Sequence, residues 1–179
     1  MLTAMAARVD ALQRPALIAV DGVTAAGKST FADELAQLVA APVVRISVDD
    51  FHRPEEERYA HGEGPESYYR DTFDLPALRS ELASVPRDAV AIVDGVFLLS
   101  AELADQWSLT IFLFVDRDVA LERAIARDAA RMGGEEAARA RYAQRYVPGE
   151  TLYLEEAHPL SHADLVVENT DPGRPRLLS

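Results

Sequence analysis

The chain has 179 residues, of which 49 % are hydrophobic and 27 % charged, and its formal net charge is −12 at pH 7. This size and composition predict one globular domain over residues 1–179, without the broad basic surface that a nucleic-acid partner requires. There is no cysteine, no apolar run reaches the roughly 18 residues of a membrane span, and the start of the chain lacks the apolar core of an export signal, so we expect a cytoplasmic protein.

Apolar runs alternate with helical patterns along the chain, which is typical of strands and helices stacked around a parallel sheet. The first half predicts strands at residues 16–21, 43–48 and 89–93 and helices at 29–39 and 75–83. Residues 53–72 between them are polar and contain Gly62, Gly64 and Pro65, so we predict a long loop there.

The second half continues the same alternation. It predicts a strand at residues 109–115, a helix at 119–132, a second helix at 135–146 and a short last strand at 165–167. Gly133 and Gly134 separate the two helices, because glycine is a poor helix former.

The clearest motif is the octet GVTAAGKS at residues 22–29, which matches the phosphate-binding pattern G-x-x-x-x-G-K-[ST] in full. It lies between a predicted strand and a predicted helix, where loop amides and the helix N-terminus can hold a phosphate. The lysine of such a P-loop reaches the outer phosphates, and the serine hydroxyl is a ligand for Mg²⁺. The motif therefore predicts binding of ATP with Mg²⁺ by Gly22, Thr24, Ala25, Ala26, Gly27, Lys28, Ser29 and Thr30.

A buried apolar strand ends in an acid, Asp94, which precedes Gly95. If this strand lies beside the one that leads into the P-loop, the carboxylate can hold Mg²⁺ together with Ser29. The alternative is an ordinary Asp-Gly turn at the end of a strand. With a P-loop present, we expect the metal role.

Two further acids, Asp49 and Asp50, follow the second predicted strand directly. Ligands bind at the carboxyl ends of the strands in open α/β sheets, and an acid near the γ-phosphate can accept the proton of an attacking hydroxyl. Adjacent side chains leave a strand in opposite directions, so one of the two acids is expected to be structural, for example as the cap of a turn. We take Asp49 as the general base and Asp50 as the alternative.

A basic stripe follows later in the chain, where Arg123, Arg127 and Arg131 share one helical face. On an acidic protein such a stripe indicates an anionic ligand, and guanidinium groups pair well with phosphoryl oxygens. We expect residues 123–146 to form a helical lid that closes over ATP, with Arg127 taking part in catalysis. The alternative is pairing within the helices, with Glu122, Asp128 and Glu135.

Three segments together resemble the uridine kinase and phosphoribulokinase family: residues 21–30, 47–53 and 68–76 (YYRDTFDLP). The strand-end Asp followed by Phe, and the later Phe-Asp-x-Pro, are more specific than the P-loop itself. The resemblance implies an ATP:alcohol phosphotransferase in which Asp49 is the base and the lid arginines contact the phosphates. It also implies that Asp74 holds hydroxyl groups of the acceptor and that the loop with Asn169 passes beside the adenine.

The remaining acceptor-side candidates are the polar and aromatic residues near Asp49 and in the predicted loop. Aromatic rings there could stack on a flat substrate, or they could pack only against the loop itself. These candidates are Phe51, His52, Arg53 and Tyr69.

The chain departs from uridine kinases at residues 79–88, where the hairpin that reads uracil is missing. The resemblance favours a nucleoside as the small-molecule acceptor. The alternatives are pantothenate, a sugar phosphate, nicotinamide riboside or glycerate.

Two other classes of protein share the P-loop. A switch NTPase would carry an Asn-Lys-x-Asp motif, which is absent, and a non-catalytic nucleotide sensor would not need Asp49 and Asp94 beside Lys28. We therefore expect a small-molecule kinase with a three-layer α/β P-loop domain, a parallel sheet and a helical lid. The sequence leaves open whether the protein forms a homo-oligomer.

Overall fold

The computed structural model describes all 179 residues and is organised around a six-stranded sheet. The strands follow the spatial order β2-β3-β1-β4-β5-β6, and all neighbours are parallel except the last pair, which is antiparallel. All five predicted strands are present, and the two-residue edge strand β6 was not predicted because so short a segment has no periodicity. The strands are β1 (Ala16–Gly22), β2 (Val43–Ser47), β3 (Val90–Gly95), β4 (Leu109–Phe114), β5 (Leu165–Glu168) and β6 (Arg176–Leu177).

Helices cover both faces of the sheet, so the predicted three-layer α/β architecture is confirmed. Alternate residues of β1 show the two faces, because Ile18 and Val20 pack with the first two helices while Ala19 packs with the fourth, fifth and eighth. None of the helices is long and apolar enough to cross a membrane. They are α1 (Leu2–Asp10), α2 (Lys28–Leu38), α3 (Glu55–Arg58), α4 (Pro65–Asp71), α5 (Leu75–Ala83), α6 (Arg117–Met132), α7 (Glu135–Arg141), α8 (Val147–Ala157) and α9 (Pro159–His162).

The long loop predicted at residues 53–72 is wrong, because α3 and α4 form within it. Pro65 occupies the first turn of α4, a position where its missing N–H costs no hydrogen bond. Tyr68 and Tyr69 of this helix are buried, with ring centroids 5.1 and 5.0 Å from that of Phe97. Packing of these rings stabilises a helix whose polar flanks suggested a loop.

The helix predicted to end at residue 146 continues to Ala157. A π-helical turn at Tyr142–Tyr146 joins α7 to α8. Pro148 follows this turn and cannot donate a hydrogen bond to the preceding turn, which a widened π turn accommodates. The continuation matters for the site because α8 brings Glu150 and Tyr153 beneath the P-loop.

Candidate active site

The backbone of the P-loop requires glycine at positions 22 and 27. Gly27 immediately precedes α2 and has a φ of 88°, and a Cβ placed there would lie 2.9 Å from Nδ2 of Asn169. A Cβ on Gly22 would lie 2.7 Å from the Leu113 carbonyl oxygen. The amides of Gly27, Lys28 and Ser29 donate to no acceptor in the protein. These free amides stand at the N-terminus of α2, the arrangement that binds phosphate.

Asp94 lies beside the P-loop, at the end of β3 next to β1. Ser29 Oγ donates a 2.6 Å hydrogen bond to Asp94 Oδ2, and Arg45 Nη2 donates a 2.7 Å bond to Asp94 Oδ1. Arg45 was missed by the sequence analysis. The available signal was that Arg45 is the single cation within the apolar strand β2, because a partly buried cation needs a carboxylate or carbonyl oxygen as its partner. Arg45 has both, since its Nη1 also donates to the Ile92 carbonyl oxygen at 2.5 Å.

Two more carboxylates support the P-loop, and the sequence analysis assigned neither of them a role. Asp21 is fully buried and accepts hydrogen bonds from the Gly22 and Leu99 amides and from the Tyr153 hydroxyl. Burial raises the pKa of Asp21 from 3.8 to about 6. Glu150 of α8 accepts a 2.7 Å bond from the Thr24 amide, and burial raises its pKa too. We call Asp21, Arg45, Asp94 and Glu150 the P-loop support.

Lys28 has no carboxylate within ion-pair distance, and its Nζ donates to the Val23 carbonyl oxygen at 2.9 Å. Burial lowers the pKa of Lys28, while the surrounding carboxylates oppose that shift. The ammonium group is therefore held over the P-loop by one neutral acceptor, which a phosphate oxygen can replace.

A cavity of about 650 Å³ opens over the P-loop at the carboxyl ends of β1, β2 and β3. Six basic and three acidic side chains line it, although the protein as a whole is strongly acidic. The structure brings most of the predicted site residues together there, namely Thr24, Ala25, Gly27, Lys28, Ser29, Thr30, Asp49, His52, Asp94, Arg123, Arg127 and Arg131.

Asp49 and Asp50 are separated by the structure. Both are exposed in the 3-10 turn Val48–Phe51 after β2, but only Asp49 lines the cavity. The Asp49 carboxylate makes no hydrogen bond and no ion pair, whereas its backbone amide is capped by Ser47 Oγ at 3.4 Å. Such a carboxylate is free to accept a hydrogen bond, or a proton, from a hydroxyl group of a ligand.

The other predicted site residues lie around the cavity without lining it. Asn169 Nδ2 donates to the Ala26 carbonyl oxygen at 2.8 Å, so this side chain holds the P-loop backbone from behind. Asp74 caps α5 by accepting from the Ala77 amide at 2.9 Å. Arg53 and Tyr69 line a separate cavity of about 220 Å³. Gly22, Ala26 and Phe51 also lie outside the lining of the main cavity.

The arginines of α6 reach the cavity but are held in different ways. Arg123 Nη2 donates to the Thr170 carbonyl oxygen at 2.5 Å. Arg127 forms a pair with Asp128 at 3.0 Å, and Arg131 lies 3.4 Å from the same carboxylate. Burial works against ionisation of Asp128, yet bonds from Arg127 and from the Tyr142 hydroxyl hold its pKa at about 2. Of the predicted pairing partners, Glu122 and Glu135 bind Arg139 instead.

Three solved structures share this arrangement of elements, whereas no protein-family model matches the chain. A possible fructose transport system kinase from a Silicibacter species superposes with a TM-score of 0.77 at 21 % identity, covering 93 % of this chain and 98 % of that one. A possible uridine kinase from Bacillus stearothermophilus gives 0.71 at 19 % identity, covering 92 % and 96 %. D-glycerate 3-kinase from Cryptococcus neoformans gives 0.61 at 13 % identity, covering 99 % and 96 %.

The chain shares its fold with these three solved structures. The expected P-loop fold is thereby confirmed. Within this fold, the cavity occupies the position where ligands bind in open α/β sheets, beyond the carboxyl ends of the central strands.

Proposed function

We propose that the protein is a small-molecule kinase, which moves the γ-phosphoryl group of ATP to a hydroxyl group. The observation that carries the proposal is that one cavity holds both a free carboxylate, on Asp49, and a phosphate-binding group made of Lys28 and the unpaired P-loop amides. A nucleotide sensor would need only the phosphate-binding group. The neighbouring kinase structures support the same reaction class.

The residues around Ser29 fit a magnesium ion. Ser29 Oγ and Asp94 Oδ2 lie 2.6 Å apart, and hard oxygen ligands of this kind suit Mg²⁺ when substrate phosphates and water supply the other ligands. Mg²⁺ bound there would neutralise charge on the phosphate oxygens. Arg45 would keep the Asp94 carboxylate oriented for that purpose.

The protein's own residues would do the rest. Lys28 and the P-loop amides would hold the outer phosphates, and Asp49 would orient the acceptor hydroxyl and take its proton as the new O–P bond forms and ADP leaves. Residues 123–146 would act as a lid that brings Arg123, Arg127 and Arg131 over the phosphates, which excludes water from the site.

Two observations bear on the chemical class of the acceptor, and they favour different classes. Resemblance to uridine kinases favours a nucleoside, and the rings of Tyr59, Tyr68, Phe73 and Tyr146 along the cavity would suit a flat base. The surplus of basic side chains instead suits an acceptor that carries negative charge.

The test is ATP consumption with Mg²⁺ against uridine, cytidine, nicotinamide riboside, pantothenate, ribulose 5-phosphate and glycerate. With the acceptor that is consumed, Asp49→Asn should lower kcat by about a hundredfold to ten-thousandfold and leave nucleotide affinity unchanged. Asp50→Asn is the matched control, since Asp50 is the neighbouring acid outside the cavity, and it should keep full activity. Full activity of Asp49→Asn, or tight ATP binding without consumption for every acceptor, would refute the proposal.

A further inference from the structure

Four of the six basic side chains in the main cavity have no carboxylate within 4 Å. These four are Lys28, Arg58, Arg123 and Arg145, whereas Arg127 and Arg131 share Asp128. Buried or half-buried cations are normally paired, so cations left unpaired in a cavity indicate an anion that the protein itself does not supply. The phosphates of ATP account for Lys28 and the arginines of α6 under the proposed function. They leave Arg58 and Arg145 without an assigned partner.

Arg58 and Arg145 come from distant parts of the chain and meet around one ring. Arg145 lies 4.8 Å and Arg58 5.5 Å from the ring centroid of Tyr59, measured from each guanidinium carbon. We call these three residues the arginine wall. Arg58 and Tyr59 belong to the segment 52–73, which follows Asp49, and Arg145 belongs to the π-helical turn Tyr142–Tyr146; all three line the main cavity.

The two guanidinium groups still have hydrogen bonds to give. Arg58 makes no side-chain hydrogen bond, and its Nε is buried without any partner. Arg145 is only 3 % exposed, and its Nη1 donates to the Gly64 carbonyl oxygen at 3.1 Å and to Ser67 Oγ at 2.9 Å. A buried N–H without an acceptor costs free energy, so the Arg58 side chain is stabilised if it turns this N–H towards an acceptor oxygen of a bound ligand.

Arg141 shows that pairing was available in this part of the structure. It also lies beside Tyr59, yet it does not line the cavity and forms a 3.0 Å pair with Glu63. Of the three arginines around the same ring, only the two that face the cavity lack a carboxylate. This difference argues that the arginine wall serves a ligand rather than the packing of Tyr59.

We propose that the acceptor is itself an anion, an alcohol that carries a phosphate or carboxylate group. Arg58 and Arg145 bind this group, while Asp49 accepts a hydrogen bond from the hydroxyl that is phosphorylated. The inference rests on the proposed function and narrows its acceptor class. A phosphate and a carboxylate both offer coplanar oxygens to a guanidinium fork, so the two sources share one recognition chemistry.

The first experiment does not require the acceptor to be known. Protein saturated with Mg²⁺ and the non-hydrolysable analogue AMP-PNP has its nucleotide phosphate positions filled, and inorganic phosphate is then titrated at constant ionic strength while the thermal unfolding midpoint is followed. Wild type should be stabilised by phosphate, and Arg58→Gln should weaken the apparent affinity by about tenfold or more. Arg58→Lys should recover part of it. Arg139→Gln on the exposed face of α7 is the control and should match wild type.

The second experiment separates the two anion types and uses matched acceptors. ATP consumption is compared for glycerate against glycerol, pantothenate against pantothenol, and ribulose 5-phosphate against ribulose. Turnover confined to charged members supports the inference, and the pair that responds identifies carboxylate or phosphate. Equal turnover with a neutral partner, or efficient turnover of uridine, would overturn it.

The outcomes distinguish this inference from the proposed function. If AMP-PNP does not bind, the proposed function fails and the inference fails with it. If AMP-PNP binds but phosphate stabilises neither wild type nor variant, or stabilises Arg58→Gln as well as Arg139→Gln, only the anionic acceptor is refuted.

Discussion

The P-loop support reaches the main cavity only at Asp94, whereas all three residues of the arginine wall line that cavity, and the two groups carry their charges in opposite ways. Beneath the P-loop, Asp94 is bound by Ser29 and Arg45, and Asp21 accepts three hydrogen bonds. In the arginine wall, neither guanidinium has a carboxylate partner, and the Nε of Arg58 has no partner of any kind. The paired charges of the P-loop support hold the P-loop in place before a nucleotide binds. The unpaired charges of the arginine wall can pair with a bound ligand.

The comparison also separates stability from binding. Substitutions in the P-loop support should change the free energy of unfolding, because they leave a buried group without its partner. Substitutions in the arginine wall should change ligand affinity, because their partners are absent from the folded protein. The three predictions below test this separation, from the largest expected effect to the smallest.

Asp94→Asn should lower the free energy of unfolding by about 3 to 4 kcal/mol, because Arg45 loses its 2.7 Å partner in a largely buried position. Urea unfolding measures this. Asp33→Asn is the matched control: Asp33 pairs with the same guanidinium at 2.9 Å but is 61 % exposed, so its loss should cost less than about 1 kcal/mol. Equal losses in the two variants would mean that burial does not decide the strength of these pairs.

Asp21→Asn should change how stability depends on pH. Burial raises the pKa of Asp21 from 3.8 to about 6, so the folded protein binds this proton more tightly than the unfolded chain does. The contribution of Asp21 to the free energy of unfolding therefore falls as pH rises from about 4 to about 6. The full cost of the buried charge, up to about 3 kcal/mol, applies above that window.

Because asparagine does not ionise, the stability of Asp21→Asn relative to wild type should increase across this window by up to about 3 kcal/mol. Urea unfolding of both proteins at several pH values between about 4 and 8 measures the difference. Tyr153→Phe, which removes a hydrogen bond to the ionised carboxylate, should move the window to higher pH. A difference that stays constant with pH would contradict the raised pKa.

Arg139→Gln should have the smallest effect. Arg139 binds Glu122 at 2.8 Å and Glu135 at 3.1 Å, but all three side chains are exposed, so the loss should stay below about 1 kcal/mol. Turnover should not change, since Arg139 does not line the cavity. A large loss of turnover would show instead that this surface network controls the lid.

Local sequence predicted the parts of the site that depend on neighbouring residues. The octet at residues 22–29 specifies its own turn, because Gly27 has a φ of 88°, in the left-handed region that favours glycine. The strand-end positions of Asp49 and Asp94 could be predicted in the same way, since alternating apolar runs mark where strands stop. The segment at residues 53–72 could not, because its helices depend on aromatic rings packing against Phe97.

The sequence by itself determined the P-loop, the alternation of strands and helices, and the positions where acids leave the sheet. Only the tertiary structure decided which of Asp49 and Asp50 faces the cavity, and which side chains support the P-loop across the fold. Arg45 reaches Asp94 over 49 residues, Tyr153 reaches Asp21 over 132, and Asn169 reaches Ala26 over 143. These partners are set by the order of strands in the sheet and by the packing of α8. Burial on both faces of the sheet decides that order, and no local preference of the chain encodes it.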